Sequence, residues 1–316
     1  MIDTYRLCVI IPTYNRRGDL VACLSSIAHQ SRLPDEVIIV DASTSLVGDE
    51  EIIYTKALAP APLRYMLTRK AGATIQRNQG LALVHQKTTH VMFLDDDVIL
   101  DGQYCKEILR VFSKKPEIIG VGGWITNPQN PPFGQKFYWL LRLFMIYGKI
   151  PGEILPSGFN TPIFIATSNE HFQTKSLEGG NMCVRLDYIR DLRFDTRYER
   201  FAGYAYLEDI DFTYTLKQKG ELWVTPYAKM KHMVSPISRT REFRFGICQV
   251  FNRALFVRKH FGNRLYHWLC FIWSITGIML TNIAMIAKGR PLDRLLGNIV
   301  GLVVTPFELP YLFRKS

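Results

Sequence analysis

The chain has 316 residues, room for one large domain or a domain with an appendage, and its 47% hydrophobic and 21% charged composition excludes wholesale disorder. Lys and Arg outnumber Asp and Glu by 39 to 28, and the resulting +11 invites an anionic partner: nucleic acid, an acidic membrane or a phosphate-rich ligand. The six cysteines (Cys8, Cys23, Cys105, Cys183, Cys248 and Cys270) form no C-x-x-C pair, which argues against a disulfide framework or thiolate zinc site and for a reducing compartment. The opening MIDTYRLCVI carries Asp3 and no long apolar run, so it does not read as a signal peptide.

Leu7-Cys-Val-Ile-Ile11 is a short apolar run stopped by Pro12, the pattern of a strand buried on both faces. Leu20, Cys23, Leu24 and Ile27 then recur at helical spacing, and Val37-Ile-Ile-Val40 is a second buried strand ended by Asp41. A helix is predicted from near Gly72, and Val91-Met-Phe-Leu94 is a third strand, ended by Asp95-Asp96-Asp97. Ile108, Val111 and Phe112 stripe the helix beyond it. This alternation predicts an α/β fold with a parallel sheet and right-handed crossovers. No Walker lysine loop or GxGxxG follows the first strand, which disfavours a P-loop or dinucleotide fold.

Pro12-Thr-Tyr-Asn15, Asp41 and Asp95-Asp96-Asp97 each lie just past the carboxyl end of a predicted strand, the edge where open α/β sheets bind ligands. In the acidic run, alternation points Asp95 and Asp97 to one side and Asp96 to the other. Packed carboxylates repel unless a cation or donors offset their charge, and hard oxygen ligands favour Mg²⁺ or Mn²⁺ completed by substrate phosphates. Arg77 and Asn78 could face phosphate or ribose, or simply be solvated. Gly203 to Gly220 reads as a helix with Glu208, Asp209 and Asp211 at its start and Lys217 and Lys219 at its end. Those acids either complement the helix dipole or supply a general base, and spacing does not choose.

From Ser238 onward lie twelve Lys or Arg and three acids, so the positive excess is concentrated in the last quarter. The same tail holds the largely apolar stretch Trp268 to Ala287, and Phe137 to Tyr147 is an aromatic, apolar segment with a lone Arg142. Basic residues interleaved with apolar runs suit an anionic bilayer better than nucleic acid. Trp268–Ala287 is long enough to span, but Lys288, Arg290 and Arg294 follow at once. One crossing from a cytoplasmic domain would put them on the wrong side. The expectation is a C-terminal hairpin or helix pair lying in the cytoplasmic interface.

Val9-Ile-Ile-Pro-Thr-Tyr-Asn-Arg16, Ile38-Ile-Val-Asp41, Arg77-Asn78-Gln-Gly80, Phe93-Leu-Asp-Asp-Asp97 and Glu208-Asp209-Ile-Asp211, in this order, closely resemble the family 2 glycosyltransferases. These are inverting enzymes of the GT-A fold, in which a nucleotide-binding α/β half abuts an acceptor-binding half. The resemblance runs from about Arg6 to about Pro236. It implies that Pro12, Thr13 and Asp41, with Asn15 at the same rim, hold the base and ribose of a nucleotide-diphosphate sugar. Arg77 and Asn78 would lie beside ribose or diphosphate, and Asp95 and Asp97, with Asp96 between them, would form the D-x-D motif. Asp97 would be the main ligand to Mg²⁺ or Mn²⁺, with His232 as a further one. Gly179, Gly180 and Asn181 would line the donor sugar and acceptor pocket, and Asp209 would be the base, while Glu208 and Asp211, which share a face by their i, i+3 spacing, would either support the helix or bind acceptor hydroxyls. One departure stands out: Asp41-Ala-Ser-Thr lacks the second acidic residue common after this strand, so no preference of base carries over.

The same reading divides the chain into a GT-A domain over 1–237, with a nucleotide-binding half 1–115 and an acceptor-binding half 116–237, and a membrane-associating helical region over 238–316. The implied reaction is a metal-dependent inverting transfer of a hexosyl or deoxyhexosyl group to a glycan or lipid-linked acceptor. It would belong to cell-surface or envelope polysaccharide assembly at the cytoplasmic face of the membrane, with no nucleic-acid partner. Two other classes stay open. A metal-dependent nucleotidyltransferase would attack phosphorus and need no base at Asp209, whereas a non-enzymatic basic protein binding nucleic acid would lose affinity steeply with salt.

Overall fold

The computed structural model describes residues 4–46, 48–127, 138–163, 166, 169–201, 205–235 and 241–314. The chain alternates strand and helix through β1 (Leu7–Thr13), α1 (Arg17–Ala28), β2 (Glu36–Asp41), α2 (Glu50–Leu58), β3 (Leu63–Leu67), α3 (Ala73–Leu83), β4 (His90–Leu94), β5 (Val98–Leu100) and α4 (Tyr104–Phe112). It continues through β6 (Ile118–Ile125), α5 (Tyr138–Leu143), β7 (Phe172–Thr174), β8 (Asn181–Arg185), α6 (Glu208–Lys217) and β9 (Glu221–His232). Three helices follow: α7 (Glu242–Phe261), α8 (Leu265–Ile286) and α9 (Asp293–Arg314).

Among the described residues the strands form one nine-stranded sheet, ordered β3-β2-β1-β4-β8-β6-β9-β5, with β7 paired to β9. The parallel character expected of the sheet holds across β3-β2-β1-β4. Beyond β4 the sheet is mixed, with β8 antiparallel to both β4 and β6, and β6 parallel to β9. Because helices cover both faces of the parallel part, β1 and β4 are buried along their whole length. Leu20, Cys23, Leu24 and Ile27 of α1 and Ile108, Val111 and Phe112 of α4 fill the core. All six cysteines are buried and unpaired, in keeping with their scattered spacing.

The chain forms two compact units, each discontinuous in sequence: Met1–Pro128, Thr167–Phe194 and Phe212–Arg239 make the first, and Gln129–Ala166, Asp195–Asp211 and Thr240–Ser316 the second. The first carries the sheet. In the second, α7 and α9 cross almost backbone to backbone. A Cβ on Gly297 would lie 2.0 Å from the Phe243 carbonyl oxygen, and one on Gly246 2.4 Å from that of Arg294. Buried Asn298 seals the crossing, donating to the Gly246 carbonyl at 2.9 Å and accepting from Asn282 of α8 at 2.6 Å. Phe137 of the expected interfacial segment lies outside the described residues, and the helix there is only the six residues of α5, with Trp139 and Leu143 exposed. α8 and α9 are both long and apolar enough to cross a membrane by length and composition, with 33% and 28% of their apolar windows buried.

Candidate active site

The parallel register of β1 and β2 sets Thr13 directly beside Asp41, so the two polar strand ends form one rim. Gln76 of α3, missed in the sequence, ties that rim together: its amide donates to the carbonyls of Thr13 at 2.8 Å and Val40 at 2.7 Å. Asp41 is fully buried, accepting from the Ser43 amide at 2.8 Å and the Tyr65 hydroxyl at 3.0 Å. Asn15 takes a left-handed conformation (φ 55°), and its side chain exchanges hydrogen bonds with Thr44. Pro12 is buried at the end of β1.

Past β4 the three aspartates separate as strand alternation predicts. Asp96 turns inward, accepting from the Thr13 hydroxyl at 2.7 Å and pairing with Arg16 at 3.0 Å. Burial pushes its carboxyl up to about 7 against the pull of those two partners. Asp97 accepts from the Ser235 amide at 2.9 Å, and Arg16 lies 3.5 Å from it. Burial opposes ionisation of Asp97 too, but the His232 ring, the Ser235 amide and Arg16 outweigh it and hold the carboxyl below its ordinary value. Asp95 pairs with the buried Arg77 at 2.9 Å.

His232 completes the group by sheet pairing. β5 runs antiparallel to β9 with Val98 opposite His232, which brings the ring to the residue preceding Val98. Its Nε2 lies 3.1 Å from Asp97 Oδ1, a buried oxygen. One ligand atom each from Asp95, Asp97 and His232 falls within 4.8 Å of the others. Two carboxylates and an imidazole converging this closely fit a hard divalent cation such as Mg²⁺ or Mn²⁺. Burial disfavours the charged ring, but the carboxylates of Asp97, Asp95 and Glu178 hold His232 above its ordinary pKa. A protonated ring and a divalent cation are thus alternative partners for the same acids.

Several expected residues are engaged elsewhere. Asn78 clamps the Phe194 main chain, donating to its carbonyl and accepting from its amide, both at 2.8 Å. The Asn181 side chain is buried between the Tyr104 hydroxyl and both main-chain groups of Gly123. Gly180 faces Asp95, with room for no side chain between them. Tyr104 and Arg16 carried no assigned role in the sequence, although Arg16 ends the first motif.

In the second unit, the first turn of α6 presents its three acids differently. Glu208 and Asp211 are buried and Asp209 is half-buried, its Oδ1 accepting from the Ile210 amide at 2.7 Å. Asp211 is held by Lys259 and His260 of α7, each at 2.7 Å, and by the Tyr198 hydroxyl at 3.1 Å. Lys259 also reaches Asp195, whose carboxyl burial would raise but which Arg197 and Lys259 hold down at about 2. These contacts tie the start of α6 to α7 through Asp211, in keeping with the helix-supporting role open to it.

Residues 8–170 match the family described as Glycosyl transferase family 2. A Haemophilus influenzae protein described as an uncharacterized glycosyltransferase is 30% identical over 112 residues, 35% of this chain. The match spans 36% of that relative's own length. Among solved structures, the mannosyltransferase PcManGT from Pyrobaculum calidifontis, in complex with GDP-Man and Mn²⁺, has a TM-score of 0.58 at 15% identity, covering 96% of this chain and 88% of that one. S. aureus TarS 1–349 has a TM-score of 0.54 at 17% identity, covering 86% and 71%. At such identities the likeness is one of fold, and that fold is GT-A.

Proposed function

Because this chain belongs to glycosyl transferase family 2, we propose that it moves a sugar from a nucleotide-diphosphate-sugar donor to a hydroxyl of a glycan or lipid-linked acceptor, with inversion. The observation that carries this reading is the convergence of Asp95, Asp97 and His232 on the strand-end edge that also bears Thr13 and Asp41. The Thr13–Asp41 rim takes the base and ribose, and Arg16 and Arg77 bring positive charge to the side where a diphosphate would lie. Asp95, Asp97 and His232 would hold a divalent cation, which when bound would offset the negative charge that grows on the departing nucleoside diphosphate.

Asp209 removes the acceptor hydroxyl proton as that oxygen attacks the anomeric carbon opposite the leaving group. The new carbon–oxygen bond forms as the bond to the diphosphate breaks, so the product is inverted. Asp209 is favoured over its neighbours because it alone of the three acids in that turn keeps partial access to solvent. Donor and acceptor held in line supply much of the remaining rate.

The protein lies on the cytoplasmic face of a membrane, with α8 and α9 in the interface. α9 is bound to its own unit along one side, through the glycine crossing and the Arg200–Glu308 ion pair, while Val303 and Phe307 stand exposed on it. One bound face and one apolar face suit a helix lying flat. Incubation with a panel of nucleotide sugars and Mn²⁺ tests the reading. Nucleoside diphosphate should appear from a preferred donor and vanish in Asp97→Ala, whereas pyrophosphate release from nucleoside triphosphates instead would mark a nucleotidyltransferase.

A further inference from the structure

The last turn of α7, with α8 and α9, lines a cavity of about 580 Å³ inside the second unit, a volume typical of small-ligand pockets. Trp268, Phe271 and Ile272 form one wall, and Leu302, Leu309 and Phe313 the other. The walls are mainly apolar, with Asn263 and Thr305 also lining them, and Arg258 enters them, its guanidinium 5.2 Å from the centroid of the Phe313 ring. Among the described residues no carboxylate pairs with Arg258. The acids of this region have other cations: Glu308 has Arg200, Asp195 has Arg197 and Lys259, and Asp211 has Lys259 and His260. A half-buried guanidinium that pairs with no described carboxylate, at the edge of a mainly apolar groove, suits an anion attached to an apolar chain.

We propose that this groove holds the lipid of the acceptor, its apolar chain between α8 and α9 and its phosphate on Arg258. The proposal rests on the membrane-associated, lipid-linked part of the reading above. It also links the groove to the chemistry, because Lys259, next to Arg258, grips Asp211, two residues from the proposed base. A neutral lipid would fill the same walls but leave the guanidinium unmatched, and free phosphate would gain nothing from them.

The test uses the full chain in detergent, with farnesyl phosphate, farnesol and inorganic phosphate as probes and native mass spectrometry as the readout. One farnesyl phosphate should bind per chain. Arg258→Gln should weaken it at least about tenfold while leaving farnesol unchanged, the signature of a charge-assisted contact. Leu302→Trp, which fills the groove, should weaken both lipids. A parent chain that does not bind farnesyl phosphate, an Arg258→Gln variant within about twofold of the parent, or displacement by equimolar inorganic phosphate would each overturn the proposal. Mn²⁺-dependent binding of UDP and GDP, measured on the same preparations, tests the donor reading separately. Retained lipid binding with no nucleotide binding would refute the transferase reading and leave the groove standing.

Discussion

Gly180 sits one residue before β8, and a Cβ built on it would lie 2.2 Å from Asp95 Oδ2 and 2.3 Å from its Cγ. Non-bonded atoms need well over 3 Å, so Gly180→Ala must drive the Asp95 carboxylate away by about 1 Å. The obstacle is the end of a flexible, one-third exposed side chain, not backbone, so it can move at little expense to stability. What it cannot do is move and keep its place. The 2.9 Å pair with Arg77 stretches, and Asp95 leaves the ligand set it forms with Asp97 and His232. A misplacement of about 1 Å is enough to cost on the order of 10²-fold where geometry is positioned for reaction. Gly180→Ala should therefore fold like the parent, with a thermal midpoint shifted by no more than a few degrees, and lose about 10- to 100-fold in Mn²⁺-dependent nucleotide affinity. Titration calorimetry with UDP and GDP, with and without Mn²⁺, alongside thermal unfolding, measures both. Parent-like metal-dependent affinity would refute the reasoning, as would a collapse in thermal stability with no selective loss of metal dependence.

Three further outcomes follow from particular side chains. Asp97→Ala should stay folded, giving up about 1–3 kcal/mol for the unmatched Ser235 amide, and lose divalent-dependent donor binding; calorimetry showing the parent's dependence on Mn²⁺ would contradict it. Asp209→Asn should keep donor and metal binding while transfer falls by about 10²–10⁴-fold, and the assignment fails if Glu208→Gln or Asp211→Asn shows that pattern instead. His90 is held neutral by burial, its pKa lowered to about 3, so between the unfolded value near 6.5 and about 3 the unfolded chain binds the extra proton and stability falls as pH falls. The slope should approach about 1.4 kcal/mol per pH unit. His90→Phe, which keeps the ring between Tyr5 and Phe112, should flatten it in denaturant titrations run across that range.

β1, β2 and β4 were legible because burial on both faces makes a continuous apolar run. β3, with the half-covered sequence LRYML, has no such run, and β5 and β7 have three residues each, too few for any period. β6 was hidden by Gly120, Gly122 and Gly123, which read as a turn but stand where neighbours crowd the strand: a Cβ on Gly120 would meet Leu222 at 2.6 Å and one on Gly123 Tyr104 at 2.5 Å. At the site, the acidic run and its alternation are local facts and could be read directly. The partnership of His232 with Asp97 depends on the register of β5 against β9, which no spacing encodes. The engagement of Asn78 and Asn181 is likewise tertiary, since each uses its amide to bind a main chain far away in sequence.

The start of α6 shows how placement separates identical groups. Three acids in one turn repel one another, and the positive helix terminus offsets only part of that. The second unit supplies the rest with Lys259 and His260, adjacent in sequence and both directed at Asp211, while Arg197 and Lys259 hold Asp195. The buried Arg253, stacked 4.2 Å from the Phe159 centroid, adds a cation within electrostatic reach of Asp209. A carboxylate that is to accept a proton from a hydroxyl must begin ionised, with its neighbours' charge already matched. Asp211 is matched by direct contact and buried for it. Asp209, two residues away, shares that positive surrounding and keeps the partial exposure a substrate needs. On the proposed reaction, the buried acid fixes the helix and the half-buried one works from it.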